Sequence, residues 1–207
     1  NVVNIRDLGG KTTSYGGKIK YGKLFRNGEI EDGTEADIQV LRNLGIEAEI
    51  DLRGCFDNRC NFSGFGFSEE AGNFYYPEII YADYSSISSE EGLKKFKKAL
   101  EFVVEHLRTG KAVDFHCVAG ADRTGMFASL LCALLGCSMD DIYKEFELTC
   151  FSIHRDRTTR VAKDRFVDFI NENHKGDNFN EKVEDYYINY AGVAPALIEE
   201  FRSLMIE

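Results

Sequence analysis

Residues 111–136 read KAVDFHCVAGADRTGMFASLLCALLG. The first part, Lys111–Cys117, has the apolar pattern of a buried strand. The last part, Arg123–Leu135, is apolar enough to form a helix that is largely buried. Gly120 and Asp122 lie in the short turn between them. A buried strand that leads directly into a buried helix is the repeating unit of α/β proteins, and it sets the expected architecture.

Working outward from this unit, the rest of the chain alternates between strand and helix patterns and then becomes helical. Apolar runs predict further strands at Lys18–Tyr21, Lys23–Arg26, Ile46–Leu52 and Phe74–Tyr81. Caps and helical spacing predict helices from Thr34 to Gly45, from Ser89 to Arg108, and at Asp140–Thr149, Asp156–Asn173, Glu181–Ala191 and Ala196–Ile206. The segment Gly54–Asn73 has no clear hydrophobic periodicity and is predicted to be a long loop. Long loops in compact domains commonly have a function.

These elements predict an α/β fold in which a central, mostly parallel sheet is flanked by helices, with a helical C-terminal part. No repeat, low-complexity tract or proline-rich linker interrupts the sequence. We therefore expect residues 1–207 to form a single domain.

Composition excludes several classes of function. The chain has 35 acidic and 25 basic residues, so its formal net charge is -10, which disfavours nucleic acid as a partner. Its apolar runs are far shorter than the ~20 residues that cross a bilayer, so no membrane span is expected. The sequence does not indicate an oligomeric state.

The cysteines and the N-terminus leave the compartment open. Six cysteines in 207 residues are too sparse for a disulfide-rich scaffold. The chain starts at Asn1 without an apolar signal region, which fits a cytoplasmic protein or one exported after removal of a signal. A disulfide between Cys55 and Cys60 is a hypothesis that applies to the exported case.

The turn after the predicted strand has the features of an anion site. Backbone N–H groups of residues 118–123 can converge on one point there, aided by the helix dipole. Gly120 permits backbone conformations closed to other residues, and the Arg123 guanidinium matches two oxygens of a phosphoryl group. The same positive field, with the Thr124 hydroxyl, would hold Cys117 as a thiolate nucleophile at neutral pH. The expected phosphate-binding residues are Val118, Ala119, Gly120, Ala121, Asp122 and Arg123.

The segment from His116 to Gly125 resembles the signature loop of the cysteine-dependent protein tyrosine phosphatase superfamily, with Cys117 and Arg123 in its two fixed positions. The stretches Asn4–Gly10, Leu24–Glu29 and Ile50–Arg53 resemble the bacterial atypical branch, which contains tyrosine, dual-specificity and phosphoinositide phosphatases. One departure concerns Ala121, where many members of the branch carry a lysine associated with extra phosphates on inositol rings. This difference weakens the lipid phosphatase interpretation.

The resemblance implies a mechanism without metal or other cofactor. Cys117 would attack phosphorus, Arg123 and the loop amides would hold the transferred group, and a carboxylic acid would protonate the leaving oxygen. Water would then hydrolyse the phosphocysteine. The first candidate for the acid is Asp83, 34 residues before Cys117, followed by Asp122 and then Asp51.

Some candidates also have a purely structural interpretation. His116 neighbours the nucleophile on a strand and therefore points to the opposite face, so we expect it to brace the loop. Asp51 and Arg53 are as well explained by a structural ion pair as by an active-site contact. Cys132 and Cys137 would lie roughly 140° apart on a helix, which disfavours a zinc site.

The preferred function is a protein tyrosine phosphatase, with dual specificity left open, that acts on a phosphotyrosine-containing protein or a small phosphomonoester. Two alternatives are kept. One is a phosphoinositide or inositol phosphate phosphatase, and the other is a pseudophosphatase that binds phosphate without turnover.

Overall fold

The computed structural model describes residues 2–57, 60–79, 84–152 and 156–207. Its five strands are β1 (Arg6–Asp7), β2 (Leu24–Asn27), β3 (Ile46–Asp51), β4 (Phe74–Tyr75) and β5 (Ala112–His116). They form one sheet in the order β1-β2-β5-β3-β4, in which β2, β5, β3 and β4 are parallel and β1 is antiparallel to β2. The predicted mostly parallel sheet is therefore confirmed.

Helices cover both faces of this sheet. They are α1 (Glu35–Asn43), α2 (Glu90–Arg108), α3 (Asp122–Leu134), α4 (Met139–Glu147), α5 (Thr159–Ala162), α6 (Asp168–Asn173), α7 (Phe179–Asp185) and α8 (Pro195–Met205). The larger core joins α2, α3 and the C-terminal helices to one face of the sheet, and a smaller core joins α1 to the other. None of the helices in the described ranges has the length and apolarity needed to cross a membrane.

Helix α3 is the most deeply buried helix of the larger core. Every residue from Arg123 to Leu134 is buried, as the apolar run predicted. The helix packs against α4 and α7 as well as against β2 and β5. Because α3 follows β5 directly, its N-terminus lies at the C-terminal edge of the central strand, where open α/β sheets bind their ligands.

Predicted caps define the starts of two helices. The Thr34 hydroxyl accepts a hydrogen bond from the Asp37 amide at 3.2 Å, and Ser138 does the same for Asp141 at 3.1 Å. Each cap satisfies an amide that the first turn of a helix leaves without a partner. Both helix starts are confirmed.

Two predicted strands are wrong in extent. The strand Phe74–Tyr81 is observed only at Phe74–Tyr75, because Pro77 lacks an N–H and Glu78 has a φ of +53°. Residues 80 and 81 lie outside the described ranges. The strand Lys18–Tyr21 is reduced to isolated bridges, among them Ile19 with Ile206 near the end of the chain.

The C-terminal part is helical, as expected, but less regular than predicted. Between Thr159 and Asn173 a π-helical turn at Lys163–Val167 separates α5 from α6, and a second one, Tyr186–Tyr190, follows α7. Residue pattern alone does not distinguish these turns from α-helix, because both keep an apolar face toward the core. That residues 1–207 form a single domain stays a prediction.

Candidate active site

The turn between β5 and α3 is held open by contacts to its carbonyl groups. The Val118 carbonyl accepts from the Glu29 amide at 2.9 Å. Asn4 Nδ2 donates to the carbonyls of Ala119 and Gly120 at 3.2 and 2.7 Å. Each of these contacts engages a carbonyl oxygen of the turn with a donor from a distant part of the chain.

Within the described part of the chain, no acceptor is bonded to the backbone N–H groups of residues 118–123. The start of α3 also lacks a side-chain cap, whereas α1, α2, α4 and α7 are capped by Thr34, Ser89, Ser138 and Asn178. Free amides at the N-terminus of a helix of this length form a concave site for an anion.

Gly120 makes the curvature of the turn possible. Its φ is +62°, and a Cβ atom at this position would lie 2.4 Å from the Asn27 carbonyl oxygen. Both the backbone conformation and the close approach to β2 require glycine. The turn is therefore shaped by contact with β2 as well as by its own sequence.

Cys117 lies at the base of this turn and is almost fully buried. Burial alone would raise the pKa of its thiol. The Arg123 guanidinium and the Thr124 hydroxyl and amide outweigh burial, so the pKa of Cys117 falls below that of an ordinary thiol. A thiolate at the base of a ring of free amides can act as a nucleophile toward an anion bound there.

Arg123 is fixed by two acceptors outside the turn. Its Nη1 atom donates to Asp57 Oδ2 at 2.5 Å and to the Ile79 carbonyl at 3.0 Å, and Nη2 lies 3.4 Å from Asp57 Oδ1. Its Nε atom is buried and has no acceptor among the described residues. Among the described residues, the acceptors of the guanidinium therefore lie at Nη1 and Nη2.

His116 lies on the face of the sheet opposite to the larger core, as its position on the strand predicts. It shares a 2.9 Å hydrogen bond with Glu49 through Nε2. Burial disfavours the charged ring, but Glu49, Asp51 and Asp114 outweigh it and raise the pKa of His116 to about 9. Burial in turn raises the pKa of Asp114 to about 8. His116 and Glu49 thus form a buried hydrogen-bonded pair that joins β5 to β3.

Asp122 is engaged by two side chains from distant parts of the chain. Arg157 donates from Nε to Oδ1 at 2.7 Å and from Nη2 to Oδ2 at 2.9 Å. The Tyr84 hydroxyl donates to Oδ1 at 2.6 Å. These bonds occupy both oxygens of the carboxylate and tie the start of α3 to two loops.

Asp51 and Arg53 form a buried ion pair at the end of β3. Arg53 donates from Nε to Asp51 Oδ1 at 2.8 Å and from Nη2 to Oδ2 at 3.0 Å. Glu31 also accepts from Arg53, and neither member of the pair is exposed. The pair braces the loop that follows β3. Asp83, the first candidate for the acid, lies outside the described residues.

A second charged cluster supports the turn from behind. Glu145 on α4 accepts from Arg6 at 2.8 Å and lies 3.2 Å from Arg26 and 3.3 Å from Lys11. Arg26 is fully buried and also donates to the Gly120 carbonyl. Glu145 therefore orients a cation that holds the backbone of the candidate site.

Several of these residues were not identified from sequence as parts of the site. Asn4 and Arg26 lie in stretches that resemble the family. The sequence therefore marked these two positions but did not indicate what their side chains do. Asp57 lies in the loop predicted to be functional, but nothing in the sequence indicates its pairing with Arg123. Glu145 lies in the Asp141–Thr149 segment, which also resembles the family, but no role was assigned to it. Arg157 has no local signal, because its partner Asp122 is 35 positions away in the chain.

Comparison with known proteins agrees with this geometry. The sequence pattern of the tyrosine phosphatase family matches residues 1–207. The chain belongs to this family. It is also 26% identical over 170 residues to a protein of Cupriavidus necator that has the provisional name of a tyrosine-protein phosphatase. The match covers 70% of this chain and 59% of that relative, so the chain spans less than two thirds of the relative's length.

The other cysteines of this tyrosine phosphatase family member are not joined to one another. Cys55, Cys60, Cys132, Cys137 and Cys150 are free thiols. Over the described ranges, no group of three or more His, Cys, Asp and Glu side chains is arranged to hold a metal ion. Among the described residues, the polar groups around Cys117 include the Arg123 guanidinium and the hydroxyl and amide of Thr124.

Proposed function

We propose that the chain is a cysteine-dependent phosphatase that hydrolyses phosphotyrosine in proteins or small phosphomonoesters through a phosphocysteine intermediate. The observation that carries the proposal is the turn at residues 118–123. The carbonyls of Val118, Ala119 and Gly120 accept hydrogen bonds from other parts of the chain, while the amides of the turn have no acceptor among the described residues. Cys117 lies at its base with a lowered pKa. Such a site binds a phosphoryl group and places a thiolate beneath it.

The chemistry proceeds in two steps. In the first, the Cys117 thiolate attacks phosphorus, the S–P bond forms, and the ester P–O bond breaks as the leaving oxygen takes a proton from an acid. In the second, water attacks phosphorus and gives a proton to the resulting carboxylate. A new P–O bond forms as the S–P bond breaks, which releases inorganic phosphate and regenerates the Cys117 thiolate. Arg123 and the amides stabilise the charge on the equatorial oxygens in both steps, and the scheme uses no metal or other cofactor.

We retain Asp83 as the proposed acid. The bonds from Arg157 and Tyr84 to Asp122 argue against Asp122, because both of its oxygens are engaged. Full burial and the pairing with Arg53 argue against Asp51. The test compares Asp83→Asn with Asp122→Asn on aryl phosphates whose leaving groups differ in pKa. Loss of the acid harms poor leaving groups most, so Asp83→Asn is expected to show the steeper dependence.

The proposal is tested by phosphate release from a phosphotyrosine peptide in the presence of a chelator. Wild type is compared with Cys117→Ser and with Cys55→Ser, which makes the same change at an exposed thiol. We expect Cys117→Ser to lose at least about a thousandfold in rate and Cys55→Ser to match wild type. Equal rates for wild type and Cys117→Ser would overturn the proposal.

The same assay extends to phosphoserine and phosphothreonine peptides and to inositol phosphates. Release from phosphoserine peptides would establish dual specificity. Release from inositol phosphates alone would favour the phosphoinositide alternative. Tight binding of phosphate without any release would favour a pseudophosphatase.

A further inference from the structure

We propose that a cavity between α2, α6 and the π-helical turn Tyr186–Tyr190 binds an uncharged aromatic molecule that has one ring and one hydroxyl group. The cavity has a volume of about 300 Å³. None of the described residues that line it belongs to the candidate active site. The inference therefore does not depend on the proposed function.

The wall of the cavity is mostly aromatic and aliphatic. His174, which follows α6, lies among three other rings. Its ring centroid is 5.8 Å from that of Phe169, 5.3 Å from that of Tyr186 and 4.4 Å from that of Tyr190, at interplanar angles of 71°, 89° and 84°. The aliphatic side chains that line the cavity are those of Ile87 and Leu93. Such a wall favours a ring that packs edge-to-face.

Two buried polar side chains of the same wall lack hydrogen-bond partners. Tyr186 is fully buried and His174 is 8% exposed. Among the described residues, neither the Tyr186 hydroxyl nor the two ring nitrogens of His174 has a partner. Asp185 Oδ2 lies 3.6 Å from His174 Nδ1, which is longer than a hydrogen bond. Buried polar groups of this kind are costly unless a ligand supplies the missing partners.

The charges around the cavity favour an uncharged ligand. Burial lowers the pKa of His174 and outweighs the opposing effect of Asp185, so the ring is neutral at pH 7. No lysine or arginine is among the described lining residues, so an anion would have no countercharge there. Asp185 already accepts from the Lys175 amide at 3.0 Å and from Asn189 Nδ2 at 2.7 Å, so its carboxylate does not require a cationic ligand.

One hydroxyl group matches both unpartnered side chains. A neutral imidazole has one N–H donor and one acceptor nitrogen. The Asp185 carboxylate favours the N–H at Nδ1 of His174, which leaves Nε2 as the acceptor. A ligand hydroxyl can donate to Nε2 and accept from the Tyr186 hydroxyl. The volume is at the lower end of the range for small-molecule pockets, which limits the ligand to about one ring.

The test titrates the full chain with three probes of similar size, followed by fluorine NMR at pH 7. The probes are 4-fluorophenol, 4-fluorotoluene and 4-fluorobenzoate. We expect 4-fluorophenol to bind with a Kd of about 1 mM or lower. We expect 4-fluorotoluene to bind at least about tenfold more weakly, because it leaves the polar groups of the wall unpaired. The anionic 4-fluorobenzoate should show no measurable binding.

Single-hydroxyl variants locate the binding. Tyr186→Phe removes the hydroxyl that lines the cavity. Tyr187→Phe is the matched control, because the Tyr187 hydroxyl is also buried and without a partner among the described residues, yet Tyr187 is not among those that line the cavity. We expect Tyr186→Phe to weaken 4-fluorophenol binding about fivefold, the effect of one lost hydrogen bond, and to leave 4-fluorotoluene unchanged. Tyr187→Phe should match wild type.

His174→Phe tests the proposed acceptor. Phenylalanine keeps a ring in the wall but removes both nitrogens, so the preference for 4-fluorophenol over 4-fluorotoluene should fall to less than about threefold. Circular dichroism shows whether this variant is folded. If it is not, the comparison of Tyr186→Phe with Tyr187→Phe decides the inference.

Several outcomes would overturn the inference. One is the absence of 4-fluorophenol binding at concentrations up to about 10 mM. Another is equal affinity for 4-fluorophenol and 4-fluorotoluene, which would show that the polar groups do not recognise the ligand. Equal effects of Tyr186→Phe and Tyr187→Phe, or tighter binding of 4-fluorobenzoate, would place the probe elsewhere. A failure of Cys117-dependent turnover would refute the proposed function and leave these binding results unaffected.

Discussion

Replacing Glu145 with glutamine removes one negative charge from beneath the candidate site and leaves three cations around it. The carboxylate lies 2.8 to 3.3 Å from Arg6, Arg26 and Lys11, and its side chain is 1% exposed. Arg26 is fully buried, so its charge has no access to water. Removing one member of a buried ion pair costs about 3–5 kcal/mol, because the remaining charge is uncompensated.

The cost converts to a measurable change in thermal stability. For a protein of this size each kcal/mol lowers the midpoint Tm by roughly 2–4 °C, so Glu145→Gln should lower it by roughly 6–20 °C near pH 7. Scanning calorimetry or circular dichroism measures this shift. The matched control is Glu200→Gln, because Glu200 pairs with Arg108 at the surface and should give a much smaller shift.

The effect of Glu145→Gln on Tm should depend on pH in a definite direction. Burial would raise the pKa of Glu145, but Arg26, Arg6 and Lys11 outweigh it and lower the pKa in the folded protein. The stabilisation is therefore complete above the pKa of an unfolded glutamate, about 4.3, and is lost as the pH falls through the lower folded value. The difference in Tm between wild type and Glu145→Gln should be constant near neutral pH and shrink in acid. A difference below about 2 °C at pH 7 would refute the reasoning.

Three further predictions concern the candidate site itself. Gly120→Ala should lower both Tm and kcat/KM, because its Cβ would lie 2.4 Å from a backbone oxygen of β2; wild-type values for both would contradict the described turn. Cys117 should react with iodoacetamide at lower pH than Cys55, whose pKa is raised by Glu78, as mass spectrometry of the two peptides over a pH series can show. Arg157→Ala should lower Tm and the phosphate affinity by releasing Asp122; a loss of stability without a change in affinity would limit Arg157 to a purely structural role.

The parts of the fold that were predicted correctly depend on local patterns. The strand and helix around Cys117 follow from apolar runs and a glycine, and the starts of α1 and α4 follow from their capping residues. The strand beyond Tyr75 was wrong because Pro77 and the positive φ at Glu78 end it, although the residues around them favour a strand. Local propensity is overridden there by backbone geometry.

The contacts that complete the candidate site join residues that are far apart in the sequence. The pairing of Asp57 with Arg123 joins residues 66 positions apart, and that of Asp122 with Arg157 joins residues 35 apart. A charged residue in a loop is usually solvated, so the sequence around it does not identify an ion-pair partner. Such pairs become visible only once the sheet order places the loops after β3 and α4 beside the turn.

The position of β5 in the sheet has a consequence for how the chain is made. Its two neighbours, β2 and β3, precede it in sequence and do not pair with each other. During synthesis β2 has no β5 to pair with until residues 112–116 have been made. At roughly 5–20 residues per second this takes on the order of ten seconds. Until then both strands expose unpaired edges to chaperones and to other nascent chains. The segment that leads into Cys117 is thus also the one whose synthesis allows the sheet to assemble.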